Sequence, residues 1–166
     1  IHGVTAGAPP ACDLAREKGV IAAVLEAIED GLVRSAHDCS DGGLAVAIAE
    51  SAVMDRARAV GVTITLPLPD GVTRRALLFG EGQGRIVLST PDPAALLALA
   101  ERHGVDAREI GRVGEVGGEV SLKIGNETWS TPVDRLVSAW HDAIPNIMTR
   151  VAIASDDPAA VAVGGD

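Results

Sequence analysis

His37-Asp38-Cys39-Ser40-Asp41 sets five polar, hydrogen-bonding side chains in a row, and Gly42-Gly43 then leads into an apolar run from Leu44. That order marks a strand-to-loop-to-helix junction. Glycines there let the backbone take positive φ and approach a ligand closely, while N–H groups at a helix start favour an anion. Ser40 or Asp41 would cap the helix whether or not anything binds, and a cap is the simpler reading of the bare pattern. His37 and Cys39 point the same way on an extended strand, the minimum for an imidazole and thiolate pair. No orienting third group accompanies them, so no nucleophile is assigned and no residue is taken as catalytic. His37, Asp38 and Asp41 carry metal-ligating atoms. A closed site needs donors from elsewhere, so these groups are expected to bond local backbone and no metal is assigned.

A second cluster is Gly80-Glu81-Gly82-Gln83-Gly84. Its spacing fails the dinucleotide fingerprint, and it precedes a strand where that fingerprint needs a helix. It reads either as a tight turn or as a loop admitting a ligand, with Glu81 and Gln83 as the side chains able to hydrogen-bond. His141 reads as a surface or edge residue, and His103 as a helix-end cation.

The chain that positions these clusters has 166 residues, enough for one domain with its own core. A net charge of −9 disfavours nucleic acid and anionic membranes as partners, because both select clustered Lys and Arg. Two cysteines, Cys12 and Cys39, with no metal-type spacing and no secretory signal, imply a reduced, cytoplasmic setting. Phe79, Trp129 and Trp140 are the aromatic residues, so the core must be aliphatic. The opening Ile1-His2-Gly3 lacks an initiator Met, which suggests excision from a longer chain.

Residues 1–10, ending in Pro9-Pro10, form a leading segment. A helix follows from Asp13, with Val20, Ile21, Val24, Leu25 and Ile28 expected to face inward and Gly31 closing it. Leu32 to Ala36 reads as a strand, and Leu44, Ile48 and Ala52 as the stripe of the helix after the glycines. Val62, Ile64 and Leu66 alternate with Thr63 and Thr65 in a strand. Residues 71–79 are ambiguous, and Arg85 to Ser89 reads as a buried strand. Asp92-Pro93 starts a helix that Gly104 stops. Strands are expected at Ile110–Val113 and Val120–Ile124, with Gly125-Asn126 turning into Glu127–Ser130. A last helix buries Leu136, Val137 and Trp140 and stops at Pro145. Residues 11–148 then make one domain and 149–166 a tail expected to be mobile. Interspersed helices and strands with one hairpin predict an α+β fold, a mixed β-sheet with packed helices.

The string Ser35-Ala36-His37-Asp38-Cys39-Ser40-Asp41-Gly42-Gly43-Leu44, preceded by Pro9-Pro10-x-x-Asp13-Leu14, resembles the phosphoribosylformylglycinamidine synthase family. Leu78-Phe79-Gly80-Glu81-x-x-Gly84-Arg85 and Trp140-x-x-Ala143-Ile144-Pro145 are similar too, so the resemblance runs from about residue 4 to 148. It implies a fold like the C-terminal domain of aminoimidazole ribonucleotide synthetase and, for the whole enzyme, an amidotransferase of purine biosynthesis. That enzyme converts formylglycinamide ribonucleotide, glutamine and ATP, with Mg2+, to formylglycinamidine ribonucleotide. The chain resembles the second C-terminal-type domain. The family's catalytic histidine, magnesium ligands and main ATP contacts lie in N-terminal-type domains without counterpart here. The implied partners are those domains, a glutaminase and a small accessory subunit. Glu81-Gly82-Gln83 is similar to a Glu-Ser-Gln substrate segment, with Gly82 replacing serine. The resemblance thus implies a cleft wall, inactive alone, with His37, Asp38, Ser40, Asp41, Gly42, Gly43, Glu81 and Gln83 as ligand-facing residues. The alternative is a free-standing nucleotide-binding, phosphate-binding or kinase-related module.

Overall fold

The computed structural model describes residues 11–156, so the leading segment 1–10 and residues 157–166 lie outside the described residues. The order of elements is α1 (Leu14–Glu29), β1 (Ser35–Asp38), α2 (Gly43–Val53), β2 (Val60–Leu66), α3 (Arg74–Phe79), β3 (Ile86–Ser89), α4 (Pro93–Arg102), β4 (Gly111–Val116), β5 (Glu119–Ile124), β6 (Glu127–Pro132), α5 (Val133–His141) and α6 (Ala143–Asp156). The fold is the expected α+β arrangement. A four-stranded sheet runs in the order β4-β2-β5-β6, with β2 parallel to β5 and the other pairs antiparallel. β1 and β3 form a separate antiparallel ribbon, Ser35 opposite Ser89 and Asp38 opposite Ile86.

The alternation in β2 decides which sheet face is covered. Val62, Ile64 and Leu66 are buried while Thr63 and Thr65 are exposed, so the helices pack on the aliphatic face alone. Ile48, Ala52 and Val53 from α2, Val120 and Ile124 from β5, and Val133 at the start of α5 complete that core. A second, smaller core joins Ala23 and Ala27 of α1 to Leu99 of α4. Asp13 and Asp92 cap α1 and α4, Asp13 accepting from the N–H groups of Ala15 and Arg16 and Asp92 from that of Ala95.

Several expectations are corrected. α1 buries Val20, Ala23 and Ala27, and leaves Ile21, Leu25 and Ile28 exposed. The helix has two apolar sides, and the one with alanines lets its backbone come close to α4. The strand at 85–89 is half-buried, because β3 sits in the two-stranded ribbon. Trp140 is half-exposed, not in the core. Pro145 does not end the last helix: it stands in the first turn of α6, where its missing N–H is tolerated. α6 therefore carries helical backbone past residue 148, into the stretch read as a tail. Among the described residues no helix is long and apolar enough to cross a membrane.

Candidate functional site

β1 delivers His37 and Asp38 to its C-terminal end, and the chain turns through Cys39–Gly42 into α2. Neither Ser40 nor Asp41 caps that helix. Gly42 holds the cap position at φ 80° with no side-chain cap from its own loop. Its N–H donates instead to Glu81 Oε1 at 3.0 Å, from the second loop. The anion-favouring position at the start of α2 is thus met by the chain's own carboxylate. Gly43 has φ 66°, and a Cβ there would lie 2.8 Å from the Gly80 carbonyl oxygen and 2.9 Å from that of Leu78. Only a glycine lets the start of α2 press against the end of α3, and this contact brings the two sequence clusters together.

Around that contact the polar side chains are mostly spoken for. His37 Nδ1 donates to its neighbour's carbonyl, Asp38 O, at 2.7 Å, and its Nε2 is 2.9 Å from Glu50 Oε2. Both ring nitrogens face acceptors, so neither is free to exchange a proton with a ligand. Asp38 accepts from the Ser40 hydroxyl, and this bond, then a backbone N–H and the nearby His37, holds its carboxyl below the usual aspartate range. Cys39 is buried, and desolvation pushes its thiol up, opposite to what a nucleophile needs. Asp41, Glu81 and Gln83 are exposed. The arrangement suits shape and hydrogen bonding more than bond-breaking chemistry.

Glu50 and Arg85 are the residues that sequence reasoning passed over. Glu50 is the one charged residue in α2, and that isolation was the available signal. Arg85 Nη2 donates to Gly80 O while its own carbonyl accepts from Cys39 N at 2.8 Å, so it ties the two loops from beneath. His141, read as a surface or edge residue, is half-buried, and its Nε2 donates to Val53 O at 2.8 Å. His103 Nε2 meets Glu26 Oε2 at 2.6 Å, the first of the contacts that hold Glu26 below its usual range.

Behind the loop, a cleft of about 560 Å³ opens between α2, α3, α5 and the sheet. Phe79, Trp129 and Trp140, all the aromatic residues of the chain, line it. Glu50 lines it as well, so one carboxylate touches both the cleft and His37. As for magnesium, the described residues bring together no group of three or more His, Cys, Asp or Glu side chains. Asp38 is bonded to Ser40 and Glu81 to Gly42, so the loop carboxylates do not converge as a hard-cation site requires.

Comparison with known proteins bears on the family and the fold. Residues 2–123 match the family model of AIR synthase related protein, C-terminal domain. The phosphoribosylformylglycinamidine synthase subunit PurL of Anaeromyxobacter dehalogenans is 43% identical over 160 residues, which is 91% of this chain and 20% of that protein. The same subunit of Moorella thermoacetica is 41% identical over 152 residues, covering 90% and 20%. Among solved structures, Thermotoga maritima PurL complexed with FGAR gives a TM-score of 0.67 at 26% identity, over 81% of this chain and 23% of that one. Its complex with ATP gives 0.64 at 26% identity, over 76% and 22%. The chain spans about a fifth of the length of the curated relatives it matches.

Proposed function

The chain belongs to the AIR synthase related protein family through its C-terminal domain, and from that premise we propose that it serves phosphoribosylformylglycinamidine synthase as a cleft-forming domain. In this reading the whole enzyme is an ATP-dependent glutamine amido-ligase of purine biosynthesis in the cytoplasm. It converts formylglycinamide ribonucleotide to the amidine. The chain contributes one wall of a cleft that N-terminal-type domains complete, with a glutaminase and a small accessory subunit as further partners. The observation that carries the reading is the joint between the two loops, Gly42 N–H on the Glu81 carboxylate and Gly43 against Gly80. It turns two separate motifs into one surface that His37, Asp38, Ser40, Asp41 and Gln83 border.

Chemistry by this chain alone is not expected. His37 has both ring nitrogens engaged, Cys39 is buried, and the loop carboxylates fit no magnesium ion. Where ATP binds the whole enzyme, it supplies the phosphoryl group that activates an amide oxygen; this chain's part is to hold and exclude. His37 acts as a strut between β1 and α2 through Glu50.

The purified chain, given formylglycinamide ribonucleotide, ammonia, ATP and Mg2+, is expected to form no amidine. Isothermal titration with ATP and with a ribonucleotide monophosphate is expected to show no tight binding. Amidine formation by the chain alone overturns the domain reading, and tight nucleotide binding supports the free-standing module. In a full-length synthase carrying the same loop, His37→Ala is expected to lower turnover without abolishing it. Complete loss with assembly intact would make His37 a catalytic residue.

A further inference from the structure

Among the described residues, Arg85 Nε is the side-chain polar atom that is buried without a hydrogen-bond partner. The side chain is fixed at its tip, where Nη2 donates to Gly80 O, and the residue is half-buried. No carboxylate of the described residues forms an ion pair with it. A half-buried guanidinium with neither a counter-charge nor an acceptor at Nε is costly, and one oxygen of an anion meets both needs. Gly82 leaves room for that oxygen. A Cβ built on Gly82 would stand 3.7 Å from Nε, with no other heavy atom within 4 Å outside the neighbouring residues of the loop. Arg85 and the exposed Arg16 also line one cavity of about 980 Å³, whose walls come from both cores.

We propose that Arg85 is the receiving group for a phosphate, one of whose oxygens accepts from Nε after a small shift of Gly82. Phosphate is favoured over a carboxylate because a dianion answers the positive charge of both Arg85 and Arg16, and arginine matches its oxygens in geometry. The acidic groups nearby set the strength. Glu81 is engaged by Gly42 N–H, while the Glu17 carboxylate lies against Gly84 and repels an incoming anion from the side of α1. Binding is therefore weak in the isolated chain. The proposal rests on the reading of the two joined loops as a ligand-facing wall, and it adds to that wall a residue outside both sequence clusters.

Nitrogen-15 NMR of the purified chain reads this at the atom, with the Arg85 Nε resonance assigned by through-bond correlation along its own side chain. Inorganic phosphate added at constant ionic strength is expected to move that resonance saturably, with a Kd in the roughly millimolar range. Acetate should move it much less. Gly82 has no positive φ, so Gly82→Ser is tolerated and sets a hydroxyl beside Nε from within. This variant should show a displaced Nε resonance before any phosphate is added and a response weakened at least about fivefold. Glu17→Gln leaves Arg85 and its bond to Gly80 untouched and should tighten phosphate roughly two- to threefold. An Nε resonance that phosphate leaves unmoved overturns the proposal. So does an equal response to acetate, which would mark general anion screening, or a response that Gly82→Ser leaves unchanged. None of these failures touches the cleft-wall reading, which falls only if the chain forms amidine by itself.

Discussion

At its N-terminus α2 meets the rest of the molecule through backbone. Gly43 presses on the carbonyls of Leu78 and Gly80, and Gly42 N–H reaches the Glu81 carboxylate. Further along, the same helix is held by side chains, with Ile48, Ala52 and Val53 packed on β2 and β5. The first kind of contact tolerates almost no added volume, because the neighbouring atoms are main chain. The second can relax around a change. One helix thus joins a site built by exclusion of side chains to a core built by filling with them, and Glu50 and His37 link the two.

Gly43→Ala is the sharpest way to break that contrast. The left-handed φ costs an alanine about 1–2 kcal/mol, and displacing backbone on α3 adds about 1–3 kcal/mol, a large part of a domain's stability. Gly42→Ala provides the comparison, since its φ is also positive but its new methyl group meets the Val46 side chain, with Cβ at 2.9 Å, and no main-chain atom of another element. Its loss in urea denaturation should be about 1–2 kcal/mol from the left-handed φ plus the smaller cost of shifting one side chain, and so less than that of Gly43→Ala. Equal losses at the two positions would mean that conformation alone, and not the close approach to Gly80, sets the requirement. Ile48→Ala tests the filled end. It is 8% exposed and borders the open cleft, so neighbours can settle and the loss should sit near the low end of the core range, about 2–3 kcal/mol.

Legibility followed the same division. Where the signal is local, the sequence sufficed: Asp92-Pro93 opened α4, the Val/Thr alternation gave β2 and its buried face, and Gly125-Asn126 turned β5 into β6. Features set by distant partners were not readable. Nothing near Gly42 indicates that its cap comes from Glu81, and nothing near His37 points to Glu50, because each pairing exists only once β1, α2 and α3 are assembled. For α1, periodicity showed a bulky aliphatic side and hid the alanine side. Close helix packing selects small residues, and hydrophobic patterns rank them low. The polar run and glycine pair marked the junction between β1 and α2, but the cap was assigned to Ser40 or Asp41, where the structure has Gly42.

Glu81→Ala probes the long-range cap. Its bond to Gly42 replaces a local N-cap, so the loss should be about 1 kcal/mol, comparable with Asp13→Ala at the start of α1, where the cap is local. A Glu81→Ala protein as stable as the parent would show that water satisfies the helix start equally well and that the joint between the loops rests on Gly43 alone.

The smallest expected effect belongs to Ser40, whose hydroxyl is the first cause of the lowered Asp38 carboxyl. Because that group titrates lower in the folded chain than in the unfolded one, its ionised form stabilises the fold at neutral pH. The stabilisation is retained above the ordinary aspartate range and lost as the pH falls through the folded value. Ser40→Ala should therefore move the Asp38 midpoint up towards the ordinary value, followed by carbon-13 NMR of the carboxyl. The urea midpoints of parent and variant should differ slightly at neutral pH and converge in acid. An unmoved Asp38 midpoint would assign the lowering to its backbone bond and to His37. The loop would then keep its charge pattern without the serine, and Ser40 would be left with only its carbonyl oxygen, which accepts from Gly43 N at 3.0 Å, as its part in the turn.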